Sequence, residues 1–349
     1  MDALPAAERQ RRRRRRLRTV PRTYAVCAAL WIVAPVLLPL IVVMDLFRRR
    51  RFAATRVTLF GMVYFTVECA LLPGLLVSWL RFRRDSDKLM AVTARQQRRF
   101  AGTLMAAIER LFSLRLVVRG DDVVAGGPVI VLVRHASIID TLLPTTYLTT
   151  RHGMLLRFVL KRELIEDPCI DIAGHRLQNH FVRRGADDNS ADLDAIRALA
   201  SDLGPTDGVL LYPEGTRFTL AKQASAREAL AGRSDGSARM STALALQTVL
   251  PPRPGGTLAA LSGAPTADVV VVAHTGLEGF ALVSDIWRGG MIGNTVEVEV
   301  WRIPRATIPT DAEAQRDWLL SVWSDVDRWV LAHRHPSSRA NTPGSARSN

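Results

Sequence analysis

A chain of 349 residues with 48% apolar side chains has room for one large α/β domain and an appendage, or for two modest domains. Its three cysteines, Cys27, Cys69 and Cys169, are widely spaced and two sit inside apolar segments. That pattern excludes a disulfide framework and a cysteine metal site, and it suits a reducing cytosolic face. The formal net charge is +14, and half of it is local: nine Arg against Asp2 and Glu8 give residues 1–22 a charge of +7.

The six consecutive arginines Arg11–Arg16 cannot lie in a core, so residues 1–22 read as a disordered polybasic arm. Directly before an apolar run, such an arm is attracted to anionic membrane lipid, at about 1 kcal/mol per residue near the surface. Nucleic acid is the disfavoured partner. Residues 25–44 then run 20 positions without a charge, long enough to cross a hydrocarbon core of roughly 30 Å. Residues 57–80 are a second apolar stretch, interrupted only by Glu68, which needs a proton or a partner inside lipid. Residues 23–84 thus read as a membrane-embedded two-helix segment. A cleaved signal peptide fits poorly, because the run is too long and Arg48–Arg51 follow it. Basic residues flank every end of both segments, so the positive-inside rule does not choose a topology. Either the pair spans the bilayer, or it dips into one leaflet with Pro35 and Pro39 bending the first helix.

Residues 85–115 interleave apolar and charged positions at helical spacing, which predicts an amphipathic linker helix. Beyond it, short β-rich runs alternate with helical patterns. Strands are expected at 115–119, 129–133, 208–212, 269–274 and 296–302, and helices at 141–149, 191–203, 236–248 and 312–332. The fold class expected is α/β, a central mixed sheet flanked by helices, with the two-helix membrane hairpin at the N-terminus. The Pro/Ser/Asn-rich residues 335–349 read as a disordered tail.

Two segments carry chemistry. In the first, the apolar run Val129–Val133 delivers Arg134 and His135, with Asp140 five residues after the histidine. On one regular helix that spacing would set the two side chains about 140° apart. They meet if His135 lies on the loop before the helix, at the carboxyl end of a strand, where ligands of open α/β sheets bind. Asp140 then accepts from one imidazole nitrogen while the other takes a proton from a substrate hydroxyl. The bland alternative is also open: Ser137 and Asp140 form an S-x-x-D capping pattern, and His135 is then a satisfied strand-end histidine. In the second segment, an apolar strand ends in Tyr212-Pro-Glu214-Gly215-Thr216-Arg217. Gly215 permits positive φ and close backbone approach, and Arg217 offers a fork of donors suited to phosphate. A strand-to-loop turn with a local Glu–Arg pair explains the same hexapeptide without a ligand.

Together these motifs resemble the lysophospholipid acyltransferase family, the 1-acylglycerol-3-phosphate and lysocardiolipin type. His135 and Asp140 match its H-x4-D motif, Tyr212–Arg217 its F/Y-P-E-G-T/S-R motif and Phe181–Arg184 its F-x-x-R block. Val249-Leu-Pro-Pro-Arg253 with Gly255 and Gly256 is similar to a V-L-P-R…G segment of the lysocardiolipin-type branch. The resemblance covers about residues 85–305 and implies an acyltransferase domain over 85–334. It implies His135 as general base toward a glycerol hydroxyl and Asp140 as its orienting partner. Arg184, Glu214, Gly215, Thr216 and Arg217 are implied as the acceptor site, with the arginines on its phosphate. The implied acceptor is a lysophospholipid, the donor acyl-CoA or acyl carrier protein, and neither metal nor cofactor is called for. The implied location is a membrane, with the catalytic domain on the cytosolic face. Two departures stand out: Arg134 replaces the usual Asn, and Gln178 stands three residues before Phe181 where a glycine is usual. Arg134 either disturbs the hydrogen bonding around His135 or adds a phosphate contact. Water in place of the acceptor would make the same His–Asp pair a thioesterase, and a decayed site would leave a lipid-binding protein. His152, His175 and His180 lack metal-ligand spacing and read as structural. Trp318, Trp323 and Trp329 read as packing residues of the last helix, and Glu278, just after a strand, is a further candidate for lining the site.

Overall fold

The computed structural model describes residues 5–48, 51–124, 126–182, 190–232, 237–278, 285 and 287–334. The chain divides into two compact units, residues 1–111 with 159–187 and residues 112–158 with 188–349.

Three long helices build the first unit: α1 (Ala6–Arg48), α2 (Ala53–Phe82) and α3 (Ser86–Phe112). The polybasic segment is not the disordered arm that its charge suggested, since α1 begins at Ala6. Arginine is a good helix former, and its repulsion is offset here by carboxylates. Arg12 Nε donates to Glu8 one turn back at 2.9 Å. Arg15 and Arg16 reach the two oxygens of the fully buried Asp171 at 2.5 and 2.8 Å, and Arg18 is bidentate on Glu166 at 2.8 Å. The helix continues through Pro21, Pro35 and Pro39.

At the turn between α1 and α2, Arg51 and Phe52 take left-handed φ values of 50° and 59°. Phe52 has no side chain able to cap α2. Asp45 does that work from the preceding helix, accepting from Thr55 N and Thr55 Oγ1, both at 2.8 Å. Further along, Tyr24 donates to Cys69 O at 3.0 Å and Trp31 Nε1 to Thr66 Oγ1 at 2.9 Å. Partners that rise along α1 fall along α2, so the two helices form an antiparallel hairpin. Both are long and apolar enough to cross a membrane. Trp31, Ile32, Val36 and Leu40 on α1 and Leu76 and Val77 on α2 are exposed. Glu68 faces inward and is buried.

The boundary expected at residue 85 falls elsewhere. Helix α3 belongs with the hairpin, through the Tyr64–Phe100 ring contact and the Ser78–Gln96 hydrogen bond. So does α4 (Pro168–Arg176), which buries Cys169 and Ala173 against Leu72 and Leu75. Arg176 Nη1 donates to Leu75 O at 2.9 Å. Gln178 has a left-handed φ of 58°, the conformation for which glycine is the usual residue.

The second unit carries most of a sheet whose seven strands run in the order β1-β7-β6-β2-β5-β3-β4. They are β1 (Arg115–Arg119), β2 (Val129–Val133), β3 (Leu155–Lys161), β4 (His180–Val182), β5 (Asp207–Leu211), β6 (Asp268–Thr275) and β7 (Thr295–Ile303). Only the β6–β7 pairing is antiparallel, so the sheet is mixed, as expected. Strand β3 leaves this unit after Phe158, and its last residues pair with β4 within the first unit. Helices α5 (Ser190–Ala200), α6 (Leu220–Ala231), α7 (Ala238–Ala245), α8 (Pro254–Gly263) and α9 (Ala312–His333) complete the second unit. The helix expected at 141–149 is a chain of short irregular turns. The tail from residue 335 lies outside the described residues.

Strand β2 is Val-Ile-Val-Leu-Val with every residue fully buried. A strand covered on both faces reads as an unbroken apolar run, and this one lies between β5 and β6 with all three parallel. Their carboxyl ends therefore open on one edge of the sheet. Leu132→Ala removes packing from the middle of this core and should cost about 2–5 kcal/mol. Denaturant unfolding in detergent measures it, and a loss below about 1 kcal/mol would show that β2 is not the centre of the core.

Candidate active site

The edge where β2, β5 and β6 end carries His135, Tyr212 and His274. Past β2 the backbone turns, and the imidazole of His135 comes back onto Asp140, with Nδ1 at 3.1 Å from both carboxylate oxygens. Asp140 Oδ2 also accepts from Ala136 N at 2.7 Å and Ser137 N at 2.8 Å, and Ser137 Oγ accepts from Ile139 N at 3.1 Å. The capping pattern and the His–Asp pair are therefore one arrangement. Asp140 closes the turn and holds the histidine at the same time.

Asp140 is fully buried. Burial alone would raise its pKa, but His135 and His274 more than offset this and hold the carboxyl well below the usual range. It is an anion at any physiological pH. The His135 side chain keeps 11% exposure, and among the described residues its Nε2 has no hydrogen-bond partner. An imidazole with one nitrogen fixed by a carboxylate and the other open is arranged to take a proton.

The second motif holds the first. Gly215 has the positive φ expected of it, 67°, and its N–H closes the turn on Tyr212 O at 2.9 Å. Glu214 is turned inward and buried. Its Oε1 accepts from His135 N at 2.8 Å and its Oε2 from Leu250 N at 2.9 Å. His135 O in turn accepts from Phe218 N at 2.7 Å, and Arg253 N donates to Pro213 O at 2.8 Å. The Tyr212 ring lies 4.4 Å from the imidazole, centroid to centroid. Both Glu214 oxygens are thus engaged by backbone amides. Glu214 is a strut between the two motifs and the 249–253 segment.

Thr216 Oγ1 accepts from Lys222 Nζ at 2.8 Å, and Arg217 O does so at 3.0 Å. Nη1 of the half-buried Arg217 is a buried donor without a hydrogen-bond partner among the described residues. No local Glu214–Arg217 ion pair forms, since Glu214 points away. Arg184 lies outside the described residues.

Arg134 resolves differently from either expectation. Its side chain is fully buried, so it offers nothing to a phosphate. Nη1 donates to Glu278 Oε1 at 2.7 Å and to His274 O at 2.6 Å, and Nη2 donates to Thr248 O at 2.8 Å. Burial would raise the Glu278 pKa, but Arg134 beside it brings the carboxyl down to about 2. Glu278 thus pairs under the site rather than lining it. His274, at the end of β6, was not singled out from the sequence. It is fully buried, its Nε2 donates to Arg134 O at 2.9 Å, and that nitrogen lies 3.7 Å from Asp140 Oδ2. A histidine ending an apolar strand, the same signal that picked His135, would have found it.

Among the described residues, the His/Cys/Asp/Glu group gathered closely enough for a metal is Glu68, Asp167 and Cys169, in the first unit. Asp167 already accepts from Ile170 N at 2.8 Å and from Tyr64. His175 bonds Asp171 one turn back, and Trp323 is buried in α9.

Burial pushes Glu214 up from 4.5 to about 8, with the two backbone amides and Arg134 pulling it partly back. The fold therefore favours its neutral form. That contribution is fully present below pH 4.5 and is lost as pH rises through about 8. The melting temperature of the wild type should fall across this window more steeply than that of Glu214→Gln. Parallel melting profiles for the two proteins would contradict the assignment.

Comparison with known proteins agrees with this geometry. Residues 115–257 match the family model described as Acyltransferase, a span that holds both motifs. No curated protein matches the chain. Among solved structures, the 1-acyl-sn-glycerophosphate (LPA) acyltransferase PlsC from Thermotoga maritima shares the fold, with a TM-score of 0.52 and 18% identity. The similarity covers 81% of this chain and 99% of that one. The His–Asp pair and the PEGTR turn both lie inside the span that matches the Acyltransferase model, and the chain shares its fold with that solved acyltransferase.

Proposed function

We propose that the protein is a membrane-bound O-acyltransferase of phospholipid biosynthesis or remodelling. It moves a fatty acyl group from a thioester, acyl-CoA or acyl carrier protein, to the hydroxyl of a lysophospholipid such as 1-acylglycerol-3-phosphate. The observation behind this reading is the His135 imidazole, fixed at Nδ1 by the Asp140 anion and open at Nε2.

In this mechanism the acceptor hydroxyl gives its proton to His135 Nε2 as its oxygen attacks the thioester carbonyl. Asp140 stabilises the imidazolium. The tetrahedral intermediate collapses with loss of the thiolate, which takes the proton back from His135. General-base assistance of this kind contributes about 10²–10⁴-fold. Arg217 supports a phosphate-bearing acceptor, because a partly buried guanidinium nitrogen without a partner suits a phosphate oxygen.

The hairpin supports the membrane assignment. A row of exposed Trp, Ile, Val and Leu on α1 and α2 would cost about 25 cal/mol per Å2 in water and is at home in lipid. The arginines of α1 suit anionic headgroups. We place the acyltransferase domain on the cytosolic side, where thioester donors and reduced cysteines are found.

His135→Ala should lower acyl transfer at least 100-fold in vesicles while leaving the unfolding temperature unchanged, and a variant retaining more than about a tenth of the wild-type rate would refute the general-base role. Arg217→Lys should raise KM for a lysophosphatidate acceptor about tenfold with little change for the thioester, a loss on the scale of one charge-assisted hydrogen bond. Equal KM values in the two proteins would remove the phosphate from Arg217.

A further inference from the structure

The residue immediately before the general base is pinned more heavily than any packing need explains. Arg134 N donates to Val272 O at 3.1 Å, and Arg134 O accepts from His274 Nε2 at 2.9 Å. The guanidinium ties together the end of β6 at His274 O, the residue Thr248 and the Glu278 carboxylate. Both outer attachments are themselves held. Thr248 N and Oγ1 donate to Asp327 at 2.5 and 2.6 Å, while Glu278 also accepts from Thr275 Oγ1 at 2.9 Å and Gly276 N at 2.8 Å. A buried ion pair is a poor way to gain stability alone, since apolar residues of the same volume do as well or better. What a pair does supply is directional hydrogen bonding and a cation cancelled by its own anion.

We propose that Arg134 and Glu278 are a positioning pair for His135. They lock the backbone at the end of β2 and, by cancelling each other, leave the imidazole to the field of Asp140. The inference rests on His135 as general base. The other groups facing the imidazole are Tyr212 from the PEGTR turn, Glu214 on its backbone amide and His274 across Asp140.

Charge balance gives the test. Glu278→Gln keeps the shape but leaves the Arg134 cation unmatched, and an arginine cannot shed its proton. A lone cation on the residue next to His135 disfavours the imidazolium, so the acid limb of the kcat/KM profile should move down by about one pH unit. In Arg134→Met/Glu278→Gln both charges are gone. The limb should return to within about 0.3 unit of wild type, while kcat stays about tenfold low because the backbone lock is lost. A merely structural pair would lower kcat in the two variants with no opposing movement of the limb.

The measurement uses full-length protein in phospholipid vesicles, with lysophosphatidate and acyl-CoA as probes and thermal unfolding as the control for folding. If Glu278→Gln does not fold, Arg134→Met replaces it: the unmatched Glu278 anion should move the acid limb up, and a wild-type limb in that folded protein overturns the proposal. A wild-type kcat in the double variant overturns it as well. A wild-type limb in a folded Glu278→Gln protein also overturns it. Absence of acyl transfer by the wild type would instead sink the enzymatic reading, and the pair would then be tested by the imidazole titration of His135 in NMR.

Discussion

The backbone amide of His135 joins the two motifs into one object. It donates to Glu214, and the carbonyl of the same residue accepts from Phe218, so the loop after β5 grips the residue after β2 from both sides. The side chain is fixed by its own loop, through Asp140. Remove the amide-to-Glu214 contact and the imidazole still has its partner, but the pair is then held to the loop after β5 from one side, through Phe218 N. Burial intensifies the dependence. Glu214 is committed at both oxygens in a dry position, where an unmade hydrogen bond costs about 1–3 kcal/mol. The second motif thus serves the first as scaffold before it serves any ligand.

The two units place different demands on the same chain. The acyltransferase motifs need rigid strand ends, and β2, β5 and β6 supply them with apolar residues buried on both faces. The α1–α2 hairpin leaves large apolar side chains outward along much of its length. At its basic end the chain neutralises charge inside the unit, with Asp171 and Glu166 taking arginines from the opening turns of α1. Polybasic sequence therefore becomes ordered helix here. Single-segment reasoning misses this because the carboxylates lie about 150 residues away.

Legibility followed burial. The strand at 129–133 was read to the residue, because a strand covered on both faces shows an unbroken apolar run. The hairpin was legible as two long apolar runs. The strand at 155–161 was hidden by Arg157, whose buried guanidinium satisfies itself on Leu199 O at 2.9 Å and on Asp202, partners that no local pattern announces. At the site, the His135–Asp140 pair and the turn at Gly215 were each visible because each is local in sequence. Glu214 was identified without its structural partners, since His135 N and Leu250 N come from two other segments. Arg134 was recognised as a departure, expected either to disturb the hydrogen bonding around His135 or to add a phosphate contact, and it does neither. Its pairing with Glu278 joins residues 144 positions apart.

The central claim is that a carboxylate-fixed imidazole draws a proton from a lipid hydroxyl and not from water. Counting both products in one assay tests this most directly. Vesicle-reconstituted protein is given acyl-CoA with and without lysophosphatidate, and the released thiol is compared with the diacyl lipid formed. The account predicts one lipid per thiol, with thiol release nearly silent until the acceptor is added. Thiol release at the same rate without acceptor would contradict it and make the protein a thioesterase.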